Sequence, residues 1–227
     1  MNKRNIKISL VLNTLILIMV VLATIFMVTG FKFMSNTYIL EAKGLETLKF
    51  YTVDSNILVG LASLMLITCE YFFIKKKIKK IPKYAYILKY IATVAVSLTF
   101  LVTLLYLSPL YGSKFLFLYQ NSNLFFHLLV PLFSFISYII YEKIEIEFKY
   151  TYYGVSTMIL YGIYYVINIL IHMKNGRVLP KYDWYGFVYG GIPSIFIVFL
   201  VMIIITYIIS LVIYKLNGPK NKKKDNL

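Results

Sequence analysis

The sequence predicts an all-α polytopic membrane protein with six transmembrane helices and both termini in the cytoplasm. Hydrophobic residues make up 60% of its 227 residues, and its mean hydropathy is +0.76, whereas a soluble domain holds roughly 45–50% apolar residues. The apolar residues fall in six runs that each approach the roughly 20 residues that a membrane helix needs. The length fits one six-helix domain over residues 1–227, with a basic cytoplasmic tail at residues 215–227.

Six spans are expected, at about residues 8–30, 51–74, 86–109, 122–141, 151–173 and 191–214. The first follows the basic segment MNKRNIK, but its apolar run is far longer than the roughly 7–15 residues of a signal-peptide core, and no small-x-small cleavage site follows. We therefore expect a retained helix. The second span begins with the polar stretch FYTVDSNILVG, the third follows the basic segment KKKIKKIPK, and the fourth opens with NSNLFFHLLVPL. The fifth carries its own polar stripe, and Gly190, Gly191 and Pro193 loosen the entry to the sixth.

The distribution of basic residues sets the expected orientation. With the N-terminus inside, the cytoplasmic segments carry 17 of the 24 Lys and Arg residues and the outer loops carry 7, as the positive-inside rule requires. The net charge of +15 is therefore a topology signal, and we expect no nucleic acid as a partner. The basic inner face would attract anionic lipid head groups.

Cofactor and metal motifs are missing from the sequence. Cys69 is the single cysteine, so an intramolecular disulfide is excluded, and a lone cysteine in an apolar run is usually packed. There is no paired-cysteine or HExxH metal motif, and no P-loop or GxGxxG nucleotide-binding motif. We expect neither a metal nor another cofactor.

Polar residues form one stripe along the second span. At roughly 100° per residue, Thr52, Asn56, Ser63 and Glu70 fall within about 40° of one another, and Ser55 flanks them. Because polar groups are costly in a bilayer, this face should point into the bundle. Asp54 points away from the stripe and lies in the first helical turn, where a capping or interfacial role is expected. Glu70 is expected to pair with a lysine of KKKIKK.

The fourth and fifth spans carry similar polar stripes. The stripe of the fourth contains Asn123, His127, Pro131, Ser134 and Tyr138, and that of the fifth contains Tyr161, Tyr165, Asn168 and His172. In the expected topology several of these residues lie level with Thr52, just below the outer interface. The sequence thus predicts one polar cavity that opens toward the outer leaflet, lined by Thr52, Asn56, Asn123, His127, Asn168 and His172.

A hydroxyl and an imidazole in one cavity suit acyl transfer. A neutral imidazole can take the proton of a hydroxyl nucleophile and then protonate the leaving group, so Thr52 and His127 are the expected catalytic pair. Asn56 or Asn123 could donate hydrogen bonds to an oxyanion, while Ser55, Asn168 and His172 are expected in binding. Each of these residues could also have a purely structural role, since Thr and Ser in membrane helices often bond to their own backbone and Asn often ties helices together.

Two short segments resemble the androgen-induced-gene and ADTRP family of six-span proteins. The family has a K-[aromatic]-x-T segment and an N-x-x-x-H segment, which read KFYT at residues 49–52 and NLFFH at residues 123–127. The resemblance implies that Thr52 is the nucleophile and His127 the base of an intramembrane hydrolase of fatty acid esters of hydroxy fatty acids. The segments LLVPL and YDWYGF look like the bacterial branch of that family.

The sequence therefore favours an intramembrane lipid-ester hydrolase in the cell membrane, with a lipid substrate. Ser55 remains a rival nucleophile. One alternative is a protein without enzymatic activity that binds or transports a lipid or small solute in the same cavity. Another is a structural membrane protein whose polar stripes only join its helices.

Overall fold

A computed structural model of the protein describes residues 2–36 and 42–218, apart from the side chain of Tyr189. It confirms the all-α prediction: within those ranges there is no strand, only an isolated bridge between Lys174 and Arg177. Six helices are long and apolar enough to cross a membrane, namely α1 Lys3–Thr29, α2 Tyr51–Ile74, α3 Lys83–Tyr119, α4 Ser122–Tyr141, α5 Tyr150–His172 and α6 Ile192–Asn217. The predicted basic tail, residues 215–227, lies outside the described residues from residue 219 onward.

The helices alternate in direction, which gives the bundle two distinct ends. Ser9 near the start of α1 is bonded to Glu70 near the end of α2 and to Glu142, just after α4. We call this the terminal end, because α1 begins there and α6 ends there. Asn56 near the start of α2 contacts Phe126 near the start of α4. This second level lies toward the opposite end, which we call the loop end.

Helix α3 lies at the centre of the bundle. It packs against α2, α4, α5 and α6. Half of its most apolar 18-residue stretch is buried, the highest share among the six spans. The outer faces of the remaining helices carry exposed apolar side chains, such as Leu160 in α5 and Leu200 in α6. This distribution is the one expected where lipid, not water, surrounds the bundle.

Helix α3 is longer than the sequence predicted. We expected it to end near residue 109, but helical turns continue as a π turn at Thr103–Leu107, an α-helical turn at Ser108–Tyr111 and a 3-10 segment at Gly112–Tyr119. Pro109 occupies the first turn of the short α segment, where a missing N–H is tolerated. Gly112 then takes a positive φ of 53° that bends the chain. The proline and glycine change the kind of helix without ending it.

Two of the three π turns in the described residues lie where prolines remove backbone donors; the third, Ser137–Tyr141, has no proline shortly after it. A proline cannot bond to the carbonyl four residues before it, and its ring crowds that carbonyl. For Pro131 that residue is His127, the middle of the π turn Phe125–Leu129, and for Pro109 it is Leu105, the middle of the first π turn. A π turn widens the helix at this point, and such turns are frequent at functional sites.

Small residues allow α1 and α2 to pack closely. A Cβ atom placed on Gly60 of α2 would lie 2.9 Å from Cγ1 of Val20 in α1, closer than real side chains approach. The two helices run alongside each other over much of their length. The first span is therefore an integral part of the bundle.

Candidate functional site

Thr52 is the second residue of α2, and its hydroxyl is available. The side chain is half-buried, and its hydroxyl makes no hydrogen bond to any residue in 2–36 or 42–218. Threonines inside the helices instead donate to the carbonyl four residues earlier, as Thr14, Thr24, Thr68 and Thr206 do. For Thr52 that position is Leu48, in a separate 3-10 segment, and extended Phe50 intervenes. The start of the helix thus leaves a hydroxyl without the usual backbone partner.

Aromatic residues hold the chain on both sides of Thr52. The N–H of Tyr51 donates to the Tyr185 hydroxyl at 3.0 Å, and the Tyr161 hydroxyl donates to the Lys49 carbonyl at 2.6 Å. Trp184 Nε1 donates to the same Tyr161 hydroxyl at 3.0 Å. Partial burial raises the pKa of Tyr185 to about 12, so this phenol is neutral at physiological pH. The loop between α5 and α6 therefore fixes the start of α2.

His127 is bonded to a residue that the sequence analysis did not select. Its side chain is 4% exposed, and Nδ1 lies 2.8 Å from Oγ1 of Thr103 in α3. Both residues belong to the two π turns that precede the prolines. The pairing therefore joins α3 to α4 at the widened turn of each helix.

The tautomer of His127 follows from the second contact of Thr103. Thr103 Oγ1 lies 2.9 Å from the carbonyl of Thr99, which can only accept. A hydroxyl has one proton, and that proton is needed for Thr99, so Oγ1 accepts from the ring and Nδ1 carries the hydrogen. In the neutral ring Nε2 is then the basic nitrogen, and it makes no hydrogen bond within the described part of the chain.

Asn56 joins the two helices that carry Thr52 and His127. Its Nδ2 donates to the Thr52 carbonyl at 2.8 Å and to the Phe126 carbonyl at 3.2 Å. The carbonyl oxygens of Thr52 and Phe126 are therefore separated by at most the sum of those two distances. Phe126 is the residue before His127. Since both amide hydrogens are used, Asn56 acts here as a tie between α2 and α4. The predicted oxyanion role would require it to give up one of these bonds.

Ser55 and Asn123 are both buried beside this tie. The Ser55 hydroxyl donates to the Thr52 carbonyl at 3.0 Å, the backbone bond that a rival nucleophile would have to break. Asn123 lies in the first turn of α4, one helical turn before His127, and is 1% exposed. Of the two predicted oxyanion donors, Asn123 is the one on the helix that carries the imidazole.

A pocket of about 340 Å³ opens on the neighbouring face of α2, between α2 and α5. Its lining includes Tyr51, Asp54, Ser55, Leu58, Thr157 and Tyr161. The Tyr51 hydroxyl lies 2.9 Å from Oγ1 of Thr157, so one polar contact joins the two walls. The volume falls in the range of small-molecule sites. Thr52 lies on the adjoining face of the same helix.

Asn168 and His172 bind the loop that follows α5. Asn168 Nδ2 donates to the Tyr182 carbonyl at 2.7 Å, and the His172 ring stacks on that of Tyr182 with centroids 3.6 Å apart. His172 Nδ1 lies 2.8 Å from the carbonyl of Asn168 itself. Their polar contacts lie within α5 and the following loop, and none reaches α2 or α4.

The predicted ion pair between Glu70 and a lysine of KKKIKK is wrong. Glu70 is fully buried and accepts from Ser9 Oγ at 2.6 Å, with no ion pair to the lysines of residues 75–80. Two of those lysines lie over aromatic rings, Lys75 over Tyr71 and Lys77 over Phe72. These flexible side chains reach water at the end of α2, while Glu70 faces inward one turn earlier.

Sequence reasoning missed Thr103 because its partner lies on another helix. A usable signal was present, since Pro109 and Pro131 each disturb the helix four residues earlier, at Leu105 and His127. That spacing marks the two widened turns.

No family model, no curated protein and no solved structure matches this chain.

Proposed function

We propose that the protein is an intramembrane hydrolase of lipid esters, with Thr52 as nucleophile and His127 as base. The observation that carries the proposal is the free hydroxyl of Thr52 on a helix that Asn56 ties to the residue before His127. Support also comes from the assigned tautomer, which leaves Nε2 of His127 as the basic atom.

The reaction has two halves. In the first, Nε2 of His127 takes the proton of Thr52 as Oγ1 attacks the ester carbonyl, and the imidazolium then protonates the leaving alcohol. In the second, the same nitrogen takes a proton from water, which attacks the acyl-threonine and releases the carboxylic acid and the Thr52 hydroxyl. Thr103 accepts from Nδ1–H throughout and so stabilises the imidazolium.

The substrate class is inferred from the pocket on the adjoining face of α2, which Thr52 and His127 do not line. This pocket combines the hydroxyls of Tyr51, Ser55 and Thr157 with apolar Leu58 and opens between two membrane helices. An ester group near the polar wall would leave its alkyl chains in lipid. A fatty acid ester of a hydroxy fatty acid has this distribution of polar and apolar groups. The cell membrane, with anionic lipid at the basic inner face, is the proposed location.

Turnover of a long-chain fluorogenic ester by purified protein in lipid nanodiscs tests the proposal. We expect Thr52→Ala and His127→Ala each to lower kcat/KM at least about a thousandfold, because the pair acts as a unit. Thr52→Ser should retain activity, because it keeps the nucleophile. Thr68→Ala is the matched control, since Thr68 is exposed on the same helix and bonded to its own backbone. Turnover unaffected in Thr52→Ala would refute the assignment.

The pocket between α2 and α5 supports a second candidate, a lipid-binding protein without catalysis. Its walls are joined by the bond between Tyr51 and Thr157, which does not involve Thr52. This alternative predicts that a fluorescent fatty acid binds equally well to wild type and Thr52→Ala, that Leu58→Trp blocks binding, and that no ester is turned over.

A further inference from the structure

A second cluster of ionisable groups lies at the terminal end, apart from Thr52 and His127. It contains Glu70 of α2, Glu142 after α4 and Lys89 of α3, all fully buried. Glu70 lies 14 residues after Asn56 on the same helix, about 21 Å along its axis at 1.5 Å per residue. The catalytic proposal uses none of these groups.

Neutral side chains of α1 and α4 hold the two carboxylates together. Ser9 Oγ lies 2.6 Å from Glu70 Oε1 and 3.3 Å from Glu142 Oε1. Glu142 Oε1 also accepts from Asn13 Nδ2 at 2.7 Å and from Ser137 Oγ at 2.5 Å. The Oε1 atoms of the two carboxylates are therefore separated by at most the sum of their two distances to Ser9 Oγ.

Several oxygens of the cluster have no donor. Oε2 of Glu70, Oε2 of Glu142 and Oδ1 of Asn13 are buried and make no hydrogen bond within residues 2–36 and 42–218. Asn13 is not acidic, and its amide already contacts Glu142 through Nδ2, so its bare oxygen lies beside the carboxylate pair. Buried acceptors without donors are costly. Three of them in one place, on three elements, indicate that a positively charged or hydrogen-donating species belongs there.

The charge count gives the charge of that species. Lys89 Nζ donates to Ser63 Oγ at 2.8 Å and lies near enough to both glutamates to interact with them electrostatically, without forming an ion pair to either. Two carboxylates and one ammonium leave one uncompensated negative charge, which is expensive in a low-dielectric interior. One proton on the pair removes it, and two carboxylates this close oppose double ionisation.

We propose that Glu70 and Glu142 together bind one exchangeable proton, with Lys89 as the fixed counter-charge. A hydronium ion from the terminal end gives its proton to one carboxylate and leaves as water, and release is the reverse. The carboxylic acid formed supplies a hydrogen for a neighbouring unpaired oxygen. The other ionisable groups facing the pair are Tyr86 of α3, Tyr138 of α4 and Cys69 of α2.

Infrared spectroscopy of the full chain in lipid, titrated with acid, measures the proton directly. We expect a carbonyl band of a protonated carboxyl group at neutral pH, which shifts in D₂O. Because the pair shares one proton, Glu70→Gln or Glu142→Gln alone should abolish the band, since each leaves one carboxylate balanced by Lys89. Glu145→Gln is the matched control, since Glu145 is exposed in the same segment, and it should leave the band unchanged.

Lys89→Met gives a second and independent readout. Without the ammonium both carboxyl groups should be protonated, so the band should double in area. Since each Glu→Gln change replaces a carboxyl by a group of the same shape, folding should survive, and circular dichroism checks it.

Three results would overturn the proposal. The first is absence of the band in the wild type. The second is half the band remaining in each glutamine variant, since that means two independently protonated groups. The third is a band that appears only when choline replaces sodium in the buffer, which would make the ligand a sodium ion. None of these measurements depends on ester turnover, so either proposal can fail alone.

Discussion

Thr103 shows how one hydroxyl proton decides the chemistry of a neighbouring ring. Its bond to the Thr99 carbonyl obliges His127 to donate from Nδ1, and so leaves Nε2 as the base. The role is one of positioning, because Thr103 acts through His127. A base in the wrong tautomer has no lone pair where the nucleophile needs it.

We predict that Thr103→Val lowers kcat by tenfold to about a hundredfold with little change in KM. The valine has nearly the same shape but leaves the buried Nδ1–H without an acceptor, at a cost of about 1–3 kcal/mol. Thr103→Ser restores the hydroxyl and should recover most of the activity. Steady-state kinetics of the wild type, Thr103→Val and Thr103→Ser measure kcat and KM for this comparison. If the serine variant is as impaired as the valine variant, the hydroxyl is not what matters.

At the same scale, helical periodicity predicted the buried residues well but not their bonds. The stripe through Asn56, Ser63 and Glu70 faces the interior, and His127 is buried as its own stripe implied. The partners Thr103 and Ser9 lie on other helices, α3 and α1, and the periodicity of one helix does not show which residue of another helix it meets. Asn168 and His172 were assigned to the cavity by their shared polar stripe and their depth, and neither property says which neighbour a side chain meets.

At the scale of the element, two prolines set the shape of α3 and α4 around the site. Pro131 withholds a donor from the carbonyl of His127, and the chain responds with the π turn Phe125–Leu129. The turn rotates the residues before it relative to those after it. The direction of the imidazole thus depends on the π turn in whose middle His127 lies.

Pro131→Ala should therefore reduce ester turnover without loss of stability. The alanine restores the missing N–H and removes a residue that is unfavourable inside helices, so the turn can return to regular α-helix and rotate His127. Thermal unfolding in detergent should show an unchanged or higher midpoint, while turnover falls. Pro82→Ala is the control, because Pro82 caps the start of α3, away from the π turns Thr103–Leu107 and Phe125–Leu129. A drop in turnover that matches a drop in stability would contradict this reading.

At the scale of the whole molecule, hydropathy predicted the six spans. It did not predict the full length of α3 or the position of the loop between α5 and α6. The bounds of α2 and α4 agree with the prediction, because their ends coincide with polar segments. The extension of α3 to Tyr119 was missed: the predicted span ended near residue 109, whereas helical turns continue past Pro109 and Gly112. The loop between α5 and α6 folds on the start of α2 through Tyr185, a long-range contact that local patterns cannot contain.

The orientation in the membrane remains a prediction of charge, and labelling of single cysteines tests it. In a Cys69→Ala background, Arg177→Cys should react with a membrane-impermeant maleimide in intact cells, whereas Lys79→Cys should react only after permeabilisation. Both positions are exposed, and they lie at opposite ends of the bundle. The reverse pattern would place the basic loop outside and contradict the positive-inside assignment.

The most direct test of the central claim identifies which hydroxyl forms the covalent intermediate. Purified protein in lipid is treated with a long-chain fluorophosphonate, and the modified peptide is located by mass spectrometry. We predict modification of Thr52, loss of labelling in Thr52→Ala, and labelling slowed at least about a hundredfold in His127→Ala. Modification of Ser55 or Thr103 instead, or a Thr52→Ala variant that labels like the wild type, would contradict the account.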